Sequence, residues 1–237
     1  MFNQRVFLKT IIVTFCITLI IQLGFAQNNY DLETEVYPKL SGRQCAHPLA
    51  GQHSCKESIT MKAYIEALKD SGVSKDDIFL KVAKKYSLDT ILDKDIKARV
   101  EKELIKDFGD KRPQIVIEPK THNFGQVLRS QGTVTNIFKI KNKGNSELII
   151  NNVYTACPCT SVSIKIDKYE SPVFNTTGAP KDWQVKLQPG KTAELKATLD
   201  LNHKNVNIGD VSRKVLVLSN DPLYPSASAT ISAYVQN

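Results

Sequence analysis

Past Pro113 the apolar residues fall on every second position, and this two-residue period constrains the chain more than any other feature it has. Val162, Ile164 and Ile166 alternate with polar neighbours, as do Leu195, Ala197 and Leu199, and Val215 with Val217. Successive side chains of a strand point to opposite sides, so each run offers one face to a core. Ile115 and Ile117, then Val134, Ile137-Phe138 and Ile140, mark further strands, followed by Leu148-Ile149-Ile150 with Val153-Tyr154, and by Ala229, Ile231 and Tyr234. Lys143-Gly144-Asn145, Pro189-Gly190 and Asn220-Asp221-Pro222 supply turns between them. Seven or so short strands without a helical run predict an immunoglobulin-like β-sandwich over residues 113–237. Residues 168–183 hold Pro172, Gly178 and Pro180 and read as an inserted loop.

Before Pro113 the period is helical, over residues 58–110. Ile59, Ala63 and Ala67 form one row and Met61, Ile65 and Leu68 another, with Gly72 as a stop. Ser74-Lys75-Asp76-Asp77 opens a second helix as a capping box, with Ile78, Val82 and Tyr86 on its apolar face beside Phe79 and Ala83. Ile96, Val100, Leu104 and Phe108 repeat at steps of four before Gly109. The expected fold is therefore in two parts: a small α-helical segment of about three helices, then the all-β sandwich. Helices this short bury little surface among themselves, so they are expected to pack on the sandwich or on a partner.

At the other end, Arg5 and Lys9 precede an apolar run from Thr10 to Leu23, and Gly24 and Ala26 then place small residues before Gln27. This order predicts a signal peptide over residues 1–26 and an exported mature chain, in the periplasm or at the cell surface. Of the five cysteines, Cys16 would leave with it and Cys45, Cys55, Cys157 and Cys159 would remain, in a compartment that permits disulfides. Formal net charge is +8; residues 27–110 hold 14 basic against 15 acidic residues, so the excess sits in the later half. A solvated basic surface explains it, and so does a patch for an anionic envelope polymer or an acidic partner protein. No aromatic-rich basic pattern suggests nucleic acid.

Four phrases carry a resemblance. His122-Asn123-Phe124-Gly125-Gln126-Val127, Asn142 to Ile150, Leu187-Gln188-Pro189-Gly190-Lys191-Thr192 and Ser219-Asn220-Asp221-Pro222, in that order, resemble an exported bacterial immunoglobulin-like domain family of unknown function. That family is akin to the ASH and major-sperm-protein-like folds. The likeness covers nearly all of 113–237 and implies a fold without a chemistry. Around residues 45–90, a cysteine-bearing loop, a helix, Ser71 to Ile78 and Val82-Ala83-Lys84-Lys85-Tyr86 are similar to the periplasmic thiol proteins of cytochrome c maturation, the CcmH/NrfF group. That group has a Cys-x-x-Cys pair before its first helix, whereas here nine residues separate Cys45 from Cys55.

Two cysteine groups could carry chemistry. Within the loop region 27–57, Cys45, His47, His53 and Cys55 run as Cys-x-His then His-x-Cys. Four such donors could close around zinc or copper, the two cysteines could instead form a disulfide, or the thiols could stay free. Cys157-Pro158-Cys159 lies where the resembling sandwich family often has a Cys-x-Cys. In a straight strand the two sulfurs would lie too far apart to bond, but Pro158 implies an edge or bulge where they could converge. A metal held there would need more ligands, such as His122 or His203, and a packed, inert role is the other reading. His122 itself reads as part of a turn phrase, and Tyr169 and Trp183 as either an exposed binding edge or a satellite core. No Cys-x-x-Cys-His for covalent haem, Gly-rich phosphate loop, Gly-x-Ser-x-Gly or His-Glu-x-x-His occurs. The expected function is that of a non-enzymatic interaction or structural protein. The alternative is a metal- or thiol-handling envelope protein, of the metal-trafficking or cytochrome c assembly type.

Overall fold

The computed structural model describes residues 30–42, 47–52, 55–109 and 111–237. The signal-peptide reading, Cys45 and His53 lie outside these residues. Three α-helices come first among the described elements: α1 Lys56–Asp70, α2 Lys75–Lys85 and α3 Lys94–Phe108. Short helical turns at Leu32–Val36, Tyr37–Lys39 and Leu88–Thr90 flank them. Ser74 caps α2, its Oγ accepting from Asp77 N at 3.2 Å, and Asp93 caps α3 by accepting from Asp95 N and Ile96 N at 3.0 Å. Of the two apolar rows on α1, the row of Met61, Ile65 and Leu68 faces the core, with Met61 and Ile65 buried and Leu68 packed against it; Ile59 of the other row is exposed. Phe108, the last of the four-residue steps on α3, is also exposed. The helical core gathers Met61, Ile65, Phe79, Val82, Val100 and Leu104 with Tyr37 and Leu40 from the turns before α1.

Ten strands then form two five-stranded sheets, three more strands than the alternation marked. Sheet one runs β1 (Ile115–Glu118), β3 (Thr133–Asn142), β8 (Thr192–Asp200), β5 (Thr160–Ile166), β6 (Tyr169–Glu170). Sheet two runs β2 (Thr121–Leu128), β10 (Ser226–Gln236), β9 (Gly209–Ser219), β4 (Leu148–Thr155), β7 (Val185–Leu187). All pairs are antiparallel except β2 with β10. Phe138, Ile140, Ile164, Leu195, Val217 and Ile231 are fully buried between the sheets. Tyr234 belongs to the other face: Ala229, Ile231, Ala233 and Val235 take the inward positions of β10, and Tyr234 is exposed. The phrase from His122 to Val127, read as a turn, is strand. Phe174, inside the expected loop, pairs with Val162 across an isolated bridge and packs edge-on against Trp183 at 4.9 Å, so those aromatics form a satellite of the core.

Polar ties lock the ends of the sandwich. Asn142, buried at the end of β3, donates to the carbonyls of Ser146 (2.8 Å) and Leu187 (2.9 Å), and accepts from Gly144 N and Gln114 N. Asp221, also fully buried, accepts from Ile115 N at 2.8 Å, Leu223 N at 2.9 Å and Tyr224 N at 3.2 Å. These bonds aim Leu223 out of the sandwich and into the helical core, where Leu88 N donates to its carbonyl at 2.9 Å. The helices thus pack on the sandwich, over the outer face of sheet two. There Lys214, Ser226 and Ser228 share a cavity with Ser41, Ser87 and Asp89, and Leu216 on the same face is fully buried.

Candidate functional site

Cys157 and Cys159 lie outside any strand, in the turn that carries the chain from β4 in sheet two to β5 in sheet one. The turn draws their Cα atoms to 5.2 Å, and the sulfurs are bonded to each other. An extended strand would hold residues two apart at roughly 6.5 Å. The convergence that Pro158 implied is therefore complete, and neither sulfur is a thiolate ligand here. Thr155 shapes the turn, its Oγ1 2.9 Å from the Cys157 carbonyl and 3.0 Å from that of Thr160. Asp200 N donates to the Cys159 carbonyl at 2.9 Å. His122 lies edge-on to Phe124 at 4.6 Å and the Nδ1 of His203 accepts from Asn205 N, so both imidazoles are engaged away from the sulfurs. Among the described residues no three His, Cys, Asp or Glu side chains are grouped as a metal site would require.

The residue that does reach the disulfide is Arg213, which sequence reasoning missed. It sits on the inward side of β9 in line with Val211 and Val215, and its Nε donates to Cys159 Sγ at 3.0 Å. Nη2 donates to the Asn205 carbonyl at 2.7 Å and Nη1 to the Ser212 carbonyl at 2.9 Å, so every arm is held. Burial holds its pKa below the ordinary arginine value, though a guanidinium stays charged. Its position between two buried valines is the signal available in sequence: a charge on the inward parity of a strand needs a partner. Both residues are buried, Cys157 keeping 8% of its surface and Cys159 1%.

In the earlier loop, His47 is exposed beside the Ser41–Pro48 bridge, and Cys55 precedes α1 as its N-cap. Cys55 is disulfide-bonded, which removes its sulfur from thiolate ligation.

A second site is an edge. The four strands at the margins of the sheets are unequal: β6 has two residues, β7 three, β1 four, and β2 eight. Among the described residues β2 is bonded only to β10, and its sequence, Thr-His-Asn-Phe-Gly-Gln-Val-Leu, contains no proline, lysine or acidic residue. Its single irregularity is a bulge at Phe124-Gly125, opposite Ala233. Leu128 at its end and Ile208 before β9 are both exposed.

Residues 115–172 match the profile of a protein family of unknown function, DUF1573, which bears out the resemblance read from the sandwich phrases. Similar solved structures include a protein of unknown function from Porphyromonas gingivalis, at 17% identity over 53% of this chain and 48% of that one (TM-score 0.38). They also include an ASH/PapD-like domain of human CEP192, at 15% identity over 54% and 88% (0.34), and the YadV chaperone, at 12% over 52% and 52% (0.34). The chain spans about half the length of the first of these. No curated protein matches it.

Proposed function

We propose that this chain is an exported, non-enzymatic interaction protein whose sandwich receives an extended segment of a partner protein along the free edge of β2. The observation that carries this reading is the eight-residue edge without charge or proline. Long edges of that kind recruit strands, and proteins that must avoid it shorten, charge or cover them, as happens at the other three margins. Export is supported by the leader-like first residues and by disulfides in the described chain. The test places a photo-crosslinking residue at Thr121 or Leu128, on the edge, and at Thr198, on the outer face of sheet one, in the exported full chain. Discrete adducts from both edge positions and none from Thr198 are expected. Adducts at all three, or at none, would sink the reading.

A thiol-handling role is the second reading, favoured by the Arg213–Cys159 contact. A disulfide across one residue closes so short a loop that chain entropy gives it only about 1.5 kcal/mol of stabilisation. Exchange needs a good leaving group instead. A partner's thiolate would attack Cys157 Sγ, on the less buried of the two residues, and Cys159 would leave as a thiolate beside the Arg213 cation. A second thiol of the partner would then displace Cys157, leaving the partner oxidised and this pair reduced. Alkylation mass spectrometry after equilibration with excess reduced glutathione should find both thiols free in the folded protein. A pair that stays closed until the protein unfolds would remove this reading.

A further inference from the structure

The helices cover only part of the outer face of sheet two, and the uncovered part is built unlike the rest. On β10, Ser232 lies level with Asn123 of β2 and Ser212 of β9, and Tyr234 with Gln126 and Asp210. In a regular strand Asn123 and Gln126, three positions apart, would face opposite sides. The bulge at Phe124-Gly125, with Gly125 at a φ of 70°, absorbs one residue and returns Gln126 to the outer face. Two rows of three polar side chains result, around a cleft of about 460 Å³. Its floor is kept low by serines and by Gly125, where an added Cβ would meet nothing within 4 Å; Tyr234 stands beside it, 44% exposed. Among the described residues the six side chains make one hydrogen bond, Asn123 Oδ1 accepting from Gly125 N at 2.9 Å. The Asn123 amino group, both ends of Gln126, the Asp210 carboxylate and three hydroxyls are left for a ligand.

We infer that this cleft binds a neutral pyranoside, with the sugar's C–H face on Tyr234 and its hydroxyls held by Asp210, Asn123 and Gln126. A pyranose has one face of C–H groups, which suits an aromatic ring. It also has neighbouring hydroxyls that donate and accept at once, which suits amides and a carboxylate placed side by side. Asp210 turns away an anionic polymer, and a lining that sets polar side chains beside Val211, Ala233 and the Tyr234 ring suits a ligand with both a polar and an apolar face. The inference goes beyond strand addition at β2, because Tyr234 and Asp210 belong to interior strands and a small glycoside does not compete for the backbone edge.

The test is a titration of the isotope-labelled full chain with the methyl glycosides of glucose, galactose and N-acetylglucosamine, each to about ten times a dissociation constant on the order of 1 mM. Glycerol is the control. At least one glycoside should shift the amides of Asn123, Gln126 and Ser232. Tyr234→Ala and Asp210→Ala should each weaken binding about tenfold or more, while Tyr234→Phe keeps it. Both alanine variants alter exposed side chains and should melt as the parent does, which separates lost binding from lost fold. No shift with any glycoside overturns the inference. So does a shift that glycerol reproduces, or one that survives both alanine variants.

Discussion

Asp221 meets its fully buried position with three backbone N–H donors spread over both its oxygens. Asparagine keeps the shape but turns one oxygen into a donor facing another donor. Asp221→Asn is therefore expected to cost about 2–4 kcal/mol, read as a lower denaturant midpoint with an unchanged slope. Arg213 makes a prediction of a different kind. In the reduced protein, burial raises the Cys159 thiol pKa and the guanidinium beside it lowers it. Arg213→Gln removes only the second influence, so alkylation of Cys159 should need a higher pH than in the parent. An unchanged pH profile would mean that the 3.0 Å contact does not act on the thiolate. The position of this sulfur pair could be read from the sequence, but its bond could not. The spacing of Cys157 and Cys159 forbids the bond in a strand, and only the crossover turn brings them to 5.2 Å.

At the scale of elements, legibility followed regularity. β8 alternates without a break and buries Leu195, Ala197 and Leu199 as alternation marks, whereas β5 buries Val162 and Ile164 but also Ser163, and leaves Ile166 half-buried. β2 is hard to read because its bulge interrupts the period after Phe124, and Tyr234, apolar like Ala229 and Ile231, has the opposite parity on β10. Two glycines show how differently such irregularities are held. At Gly144 a Cβ would run into the Arg112 carbonyl and lie 2.6 Å from Gln114 N, backbone that Asn142 and Asn145 hold in place. At Gly125 a Cβ has open space, and only the positive φ opposes it. Gly144→Ala should thus cost about 2–4 kcal/mol by overpacking, and Gly125→Ala about 1 kcal/mol from the left-handed backbone. Equal costs in thermal or chemical unfolding would contradict this account of the two turns.

For the whole molecule the question is whether helices and sandwich unfold as one. Leu223 is buried in the helical core yet fixed by Asp221 in the sandwich, and Tyr224 touches both cores. Leu223→Ala should remove about 2–4 kcal/mol of packing and split one thermal transition into two, the helical part melting first. Tyr224 adds a pH dependence to the same junction. Burial pushes its hydroxyl up to about 12, and Asp89 and Glu101 from the helical side reinforce Asp221 in raising it. Below pH 10 the phenol is protonated in both the folded and the unfolded chain, and its contribution is intact. Between about 10 and 12 the unfolded chain ionises first, so stability must fall as pH rises through that window. Tyr224→Phe lacks this loss while sharing every other titrating group. The melting midpoint of the parent should therefore drop relative to the phenylalanine variant above pH 10, and the drop should disappear when Leu223→Ala has already separated the two parts. A parent and a Phe variant that fall in parallel would show that the junction is not where the phenol is shielded.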